Sequence, residues 1–194
     1  FYSIVVDPPR KRLFWLTHRA GPESCQIGVV NYDGKGARVV RDRLTDAGGL
    51  LVDSEKQRLY WTAADPGRGF TLRRANLDGN AEEILVRGLR SPARLTLDST
   101  RGQIYYHDYD HVVSVPVDGG QERHLMQCSA RALGIEPASN RLYWVTDKAF
   151  CSAKLTAAEI ATSDVRVEPI PRPGSVWNVV TDPTNAKIYW GDGH

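Results

Sequence analysis

The chain has 194 residues, 41% hydrophobic and 25% charged, a composition that fits a soluble globular protein and excludes wholesale disorder. With 25 Lys and Arg against 23 Asp and Glu, the net charge of +2 is too small to create a general field toward nucleic acid or an acidic membrane surface. No stretch approaches the roughly 20 apolar residues that span a bilayer, and the 3 cysteines (Cys25, Cys128, Cys151) are too few and too scattered for a zinc site or a dense disulfide scaffold.

The chain opens Phe1-Tyr2-Ser3-Ile4-Val5-Val6, with neither Met nor a basic segment ahead of an apolar core. No signal peptide is read there, and the sequence is expected to start inside a longer protein. Along the chain one phrase then recurs: an apolar run, an acidic residue, a polar turn, and an aliphatic-aromatic-aromatic triplet. It runs from Ile4-Val5-Val6-Asp7 to Leu13-Phe14-Trp15, from Leu51-Val52-Asp53 to Leu59-Tyr60-Trp61, and from Thr96-Leu97-Asp98 to Ile104-Tyr105-Tyr106. Gly134-Ile135-Glu136 leads to Leu142-Tyr143-Trp144, and Val180-Thr181-Asp182 leads to Ile188-Tyr189-Trp190. In each copy the acid precedes the last aromatic by 8 positions, and that aromatic recurs at intervals of 46, 45, 38 and 46. A constant internal offset over a period of this length marks a repeat architecture.

A second phrase shares the period. Asn31-Tyr32-Asp33-Gly34, Asn76-Leu77-Asp78-Gly79 and Pro116-Val117-Asp118-Gly119 each follow a strand-like run and precede a short apolar one; the fourth copy is irregular between Lys154 and Val167. Asp-Gly signals a tight hairpin turn because Gly supplies a positive φ at no steric cost. Each repeat therefore holds four short strand candidates. The first of these, as in Gly49-Leu50-Leu51-Val52 and Ala132-Leu133-Gly134-Ile135, is nearly all apolar or small and is expected to be covered on both faces. Later strands alternate, so burial should fall from first strand to last. Four strands in about 40–45 residues is the period of a β-propeller blade.

At these residues the sequence resembles the YWTD β-propeller family, the class B repeats of low-density lipoprotein receptors and their relatives. The signature reads here as Phe14-Trp15-Leu16-Thr17, Tyr60-Trp61-Thr62-Ala63, Tyr105-Tyr106-His107-Asp108, Tyr143-Trp144-Val145-Thr146 and Tyr189-Trp190-Gly191-Asp192. The aromatic pair is kept while the Thr-Asp half has drifted. The expected fold is all-β, a propeller of four-stranded blades in a single domain over 1–194, with repeats near 1–46, 47–92, 93–130, 131–175 and 176–194. The resemblance implies six blades, roughly 250–270 residues at this repeat length. About four and a half are present, so further blades are expected from the parent chain or a second chain.

The regular acids Asp7, Asp53, Asp98, Glu136 and Asp182 are expected to fix turns by accepting backbone N–H bonds, as a group repeated in every blade does. Trp15, Trp61, Trp144 and Trp190 are expected to pack between blades. The family binds partners, by resemblance, on the face that carries the loops after the aromatic pair. Candidate binding residues there are Phe70, Arg94, His107, Tyr109, His111, Arg131, Phe150, Trp177 and Asn178. His107-Asp108-Tyr109-Asp110-His111 has the residue types of a divalent-metal site. Alternation sends its neighbouring side chains to opposite faces, however, and a hairpin tip at Tyr109-Asp110 is the preferred reading. Trp177 stands 5 residues before Asp182, outside the repeated phrase, and is the strongest single recognition candidate.

No Gly-x-Ser-x-Gly elbow, phosphate-binding Gly loop or His-Glu-x-x-His occurs. No catalytic or metal residue and no cofactor is therefore assigned. Cys128 and Cys151 fall on consecutive blades, and their pairing stays open. The function expected is non-catalytic binding of a protein or peptide, without nucleic acid or membrane insertion, in an extracellular setting by family resemblance. The alternative is an enzyme on a propeller scaffold, a hydrolase, lactonase or isomerase working at the mouth of the axial channel.

Overall fold

A computed structural model describes residues 3–17, 21–90, 92–156, 160, 164–169, 175–182, 185 and 187–193, with the backbone alone at 92–94, 175–178 and 192–193. The chain divides into two compact units, 1–92 and 93–194.

Unit 1 holds two antiparallel four-stranded sheets, each a simple meander. The first comprises β1 (Ser3–Asp7), β2 (Arg12–Thr17), β3 (Cys25–Asn31) and β4 (Arg38–Leu44). The second comprises β5 (Leu50–Asp53), β6 (Arg58–Asp65), β7 (Gly69–Asn76) and β8 (Glu83–Leu89). Period-2 alternation in β2 and β3 sends Phe14, Leu16, Ile27 and Val29 to one face. They meet Leu50, Leu59, Trp61 and Ala63 of the second sheet in a single core. Trp61 is fully buried, and truncating such a ring costs about 3–5 kcal/mol.

Unit 2 repeats the arrangement. One sheet holds β9 (Pro92–Asp98), β10 (Gln103–Asp108), β11 (His111–Pro116) and β12 (Arg123–Gln127). The next holds β13 (Ala132–Glu136), β14 (Arg141–Val145), β15 (Ala149–Lys154) and β16 (Arg166–Pro169), and a two-stranded sheet pairs β17 (Ser175–Asp182) with β18 (Lys187–Gly193). Tyr105 and Val112 pack with Leu133, Leu142, Trp144 and Cys151 in one cluster, and Ala132 and Val145 pack with Val179 in another.

The acids act as turn anchors. Asp53 Oδ1 accepts from the backbone N–H of Glu55 and Lys56 at 3.1 and 2.9 Å, Asp98 Oδ1 from that of Arg101 at 3.1 Å, and Asp182 Oδ1 from that of Asn185 at 3.2 Å. Asp7 instead takes Arg10 Nη1 at 3.2 Å and Arg12 Nε at 2.9 Å. Glu136 accepts the hydroxyl of Ser139. Four residues past the acid the backbone turns left-handed in four repeats, at Lys11, Gln57, Gly102 and Asn140, with φ of 50°, 56°, 61° and 58°. The left-handed residue reverses the chain, and the carboxylate satisfies donors that the reversal leaves without strand partners.

The Asp-Gly turns are also present. Gly34, Gly79 and Gly119 each donate their N–H, at 2.9 Å, to the carbonyl three residues back, at φ of 79°, 86° and 83°. Gly79 has a second reason to be glycine: a Cβ there would overlap the Val40 carbonyl of the neighbouring sheet.

Two packing expectations need correction. β5 and β13 are largely buried, but β1 alternates, with Ile4 58% and Val6 55% exposed. Trp61 and Trp144 are buried, whereas Trp15 is half-buried and Trp190 is 54% exposed. Trp190 lies on the two-stranded sheet and has Phe150 beside it at a ring-centroid distance of 6.2 Å. Trp15 lies over its cross-strand partner Gly28, whose missing side chain makes room for the indole.

Candidate functional site

In unit 2 the β10–β11 turn, the β12–β13 link and the β14–β15 turn lie at one end of the sheets. Asp108 pairs with His111 across the β10–β11 hairpin, leaving Tyr109 and Asp110 as a two-residue tip. Tyr109 is 61% exposed with φ of 60°. A bulky residue pays for that left-handed conformation, so the tip persists only because its surroundings hold it.

The holding groups are specific. His111 Nδ1 lies 2.7 Å from Asp110 Oδ1, and Gln127 Nε2 donates to Asp110 Oδ2 at 3.0 Å. The Gln127 bond, reinforced by His111, keeps the Asp110 carboxyl below the usual carboxylate range. The Asp110 carbonyl accepts the Cys128 N–H at 2.8 Å. The His111 ring meets His124 edge to face, with centroids 5.1 Å apart.

His107 is buried and points its Nε2 at the Cys128 carbonyl, 3.1 Å away. A carbonyl only accepts, so this nitrogen carries the proton and donates. Burial holds the His107 pKa below its ordinary value, against the opposing pull of the Cys128 bond and of Asp108 and Asp110. His107 and His111 thus serve different partners, as strand alternation requires. Among the described residues no group of three or more His, Cys, Asp or Glu is placed to hold a metal ion.

The same link carries Arg131. Its N–H donates to the Val145 carbonyl at 2.7 Å, and its guanidinium pairs with Asp147 in the β14–β15 turn, keeping that carboxyl below its ordinary range. Thr146 shapes the turn by accepting the N–H groups of Lys148 and Ala149 at 3.3 and 3.1 Å. Phe150 follows directly, half-buried against Tyr143 at a centroid distance of 5.7 Å.

His107, Tyr109, His111, Arg131 and Phe150 are therefore connected through one link and two turns of unit 2. Phe70 belongs to unit 1, half-buried at the start of β7 opposite Ala64. The side chains of Arg94, Trp177 and Asn178 lie outside the described residues. Sequence reasoning placed Asp110 at the hairpin tip but missed Gln127 and Asp147, which hold Asp110 and Arg131. Only the pairing of strands reveals them, because Gln127 and Asp147 act across 17 and 16 residues of chain. Cys128 and Cys151 are not joined by a disulfide. Burial, with Cys151 nearby, pushes the Cys128 thiol up to about 11.

No family model matches the chain. Human low-density lipoprotein receptor-related protein 5 is 37% identical over 149 residues, which cover 74% of this chain and 9% of that protein. Among solved structures, the nidogen/laminin complex contains a chain that superimposes with a TM-score of 0.77 at 20% identity, covering 94% of this chain and 68% of its own. The chain belongs to the YWTD β-propeller family.

Other similarities extend further afield. Protein cueball of Drosophila grimshawi is 28% identical over 108 residues, 55% of this chain and 17% of the relative. A gluconolactonase from Xanthomonas campestris superimposes with a TM-score of 0.75 at 18% identity, covering 96% of this chain and 67% of the enzyme. At that identity the likeness shows the fold alone. The propeller chain spans under a fifth of the length of these curated relatives.

Proposed function

We propose that the chain is a non-catalytic ligand-binding module that recognises a protein or peptide through the loop end of unit 2, in an extracellular setting. One observation carries this reading: an exposed tyrosine stands at a strained two-residue tip, with Asp110, His111 and Gln127 fixing the backbone beneath it. A rigid aromatic loses little conformational freedom on binding, and tyrosines are common anchors of interfaces. Arg131 and Asp147 supply a charged rim, and the half-buried Phe150 adds apolar surface nearby. The relatives support the choice of partner class: one is receptor-related by name, and the nidogen structure is of a complex with laminin.

Selection of a displayed random-peptide library on the wild-type chain tests the proposal. Enriched peptides should bind Y109A and R131E at least about tenfold more weakly, since an anchor residue typically contributes 1.4 kcal/mol or more. Peptides that bind both variants as tightly as wild type place the site elsewhere. Turnover of a lactone panel by the wild-type chain in the presence of calcium would overturn the non-catalytic reading.

A further inference from the structure

Unit 1 carries a second feature at the opposite end of its sheets from the β2–β3 and β6–β7 turns. A groove of about 570 Å³ runs between the first and second repeats and is lined by Arg10, Arg12, Arg38, Lys56 and Arg58. The repeat itself brings the cations together. Arg10 and Lys56 stand three residues past their acids, and Arg12 and Arg58 stand five past, opposite those acids in the strand register. Arg38 opens β4 on the far side.

The carboxylates offset only part of this charge: Arg10, Arg12, Arg38, Lys56 and Arg58 stand against Asp7, Asp53 and Asp78. Asp7 and Asp53 are buried at 0% and 2% exposure, behind the groove. Asp7 is already engaged by Arg10 and Arg12, and Asp53 accepts the backbone N–H groups of its own turn. Asp78 is the one carboxylate in the lining, and Arg38 lies close enough to lower its pKa, although its bond to the Asn80 N–H is the larger cause. Arg10 is also held in place: its Nη1 donates to the Ser54 carbonyl of the second repeat at 3.0 Å, fixing the two repeats' turns against each other.

Size and lining chemistry identify the ligand. The groove falls in the range that accommodates a drug-sized molecule and far exceeds what one oxyanion fills. Leu77 is its one apolar lining residue, and it is buried. Peptide sites depend on an aromatic or aliphatic anchor pocket, which this groove lacks. Planar guanidinium groups pair with sulfate or carboxylate oxygens two at a time, and a row of them spaced along a rigid groove suits a chain bearing regularly spaced anions. We propose that this groove binds a polysulfated saccharide chain, independently of the loop end of unit 2.

The test uses a heparin-derived hexasaccharide and the full chain, with titration calorimetry at several salt concentrations. Wild type should bind at 50 mM NaCl and weaken at least about tenfold by 300 mM, as an exposed charge-driven contact does. R38S/K56S/R58S should lose at least about tenfold in affinity, and R38K/K56R/R58K should stay within about threefold of wild type. R68S/R90S, with changes away from the groove, should bind as wild type does. The exposed single variant R38S, which cuts no ion pair with the buried acids, serves if the triple variant melts earlier than wild type; it should lose about threefold. Three results overturn the proposal: unchanged affinity in R38S and the triple variant, tighter binding of an oligoglutamate peptide, or tighter binding of a single-stranded DNA oligonucleotide at matched salt.

Discussion

The Thr181 hydroxyl donates to the Ile135 carbonyl across 2.8 Å, joining the first strand of the fifth repeat to the first strand of the fourth. The contact needs close approach of β13 and β17, and Gly134 provides it: a Cβ there would stand 3.0 Å from Val179 Cγ1. T181V keeps the shape and removes the donor. It should lower stability by about 1 kcal/mol, the usual net worth of one hydrogen bond. G134V should cost about 1–3 kcal/mol through overpacking. Urea denaturation of both variants checks the pair, and a loss in T181V alone would count against the close-approach argument.

Glu82 joins the two sheets of unit 1 in a different manner, taking Arg73 Nη1 on Oε1 at 2.7 Å and Arg41 Nη2 on Oε2. The three side chains are 19–34% exposed, so the bridge is only partly shielded from water. E82Q should cost about 1–2 kcal/mol, above the surface-pair median and below the cost of breaking a fully buried pair. The loss should shrink in high salt. Chemical denaturation at 0.05 and 1 M NaCl provides the comparison.

Replacing a left-handed residue by glycine should stabilise the chain at two places with opposite functional results. Gln57 at φ 56° and Tyr109 at φ 60° both pay for their backbone. Q57G and Y109G should each gain up to about 1 kcal/mol, the relief of local strain minus the added freedom of the unfolded glycine. Q57G should keep the peptide binding described above, and Y109G should abolish it. A Y109G protein that is both stabilised and fully binding would detach the strained tip from recognition.

Acidification should act through His107. Burial depresses its folded pKa below the ordinary value near 6.5, so the unfolded chain takes up the proton first. The stability held by neutral His107 is fully present above about pH 6.5 and declines as pH falls from there toward the folded pKa. H107Q retains a donor for the Cys128 carbonyl without the titration. Thermal melts from pH 7.5 to 5.5 should show a smaller loss for H107Q than for wild type; parallel profiles would rule His107 out as the titrating group.

How far the sequence was legible depends on whether a feature is local to one repeat. The acid-to-aromatic spacing, the Asp-Gly turns and the Tyr109-Asp110 tip each lie within a few residues of chain, where geometry follows directly from residue type. The roles of the buried Asp53 and Asp98 were legible for the same reason, whereas Asp7 takes the side chains of Arg10 and Arg12 in place of backbone N–H groups. Features made by two repeats were not. Glu82 finds Arg41 across 41 residues, and the basic groove assembles Arg38 with Lys56 and Arg58 only once two sheets pack. Trp190 matched the repeated pattern yet is half in solvent, because a motif specifies a side chain's direction but not what covers it. The side chains of Trp177, Asn178 and Arg94 remain expectations.

The meander order of the sheets also has a kinetic consequence. Every strand pair in a sheet joins neighbours along the chain, so each hairpin closes a short loop and the loop-closure cost is low. A repeat can therefore gain its strand pairs while the next is still being synthesised, with Glu82 and Thr181 engaging only after their partner sheets exist. Mutations at such late contacts should accelerate unfolding and leave the refolding rate nearly unchanged. Persistence of the folded chain, more than the speed of its formation, then rests on the few side chains that cross from one repeat to the next.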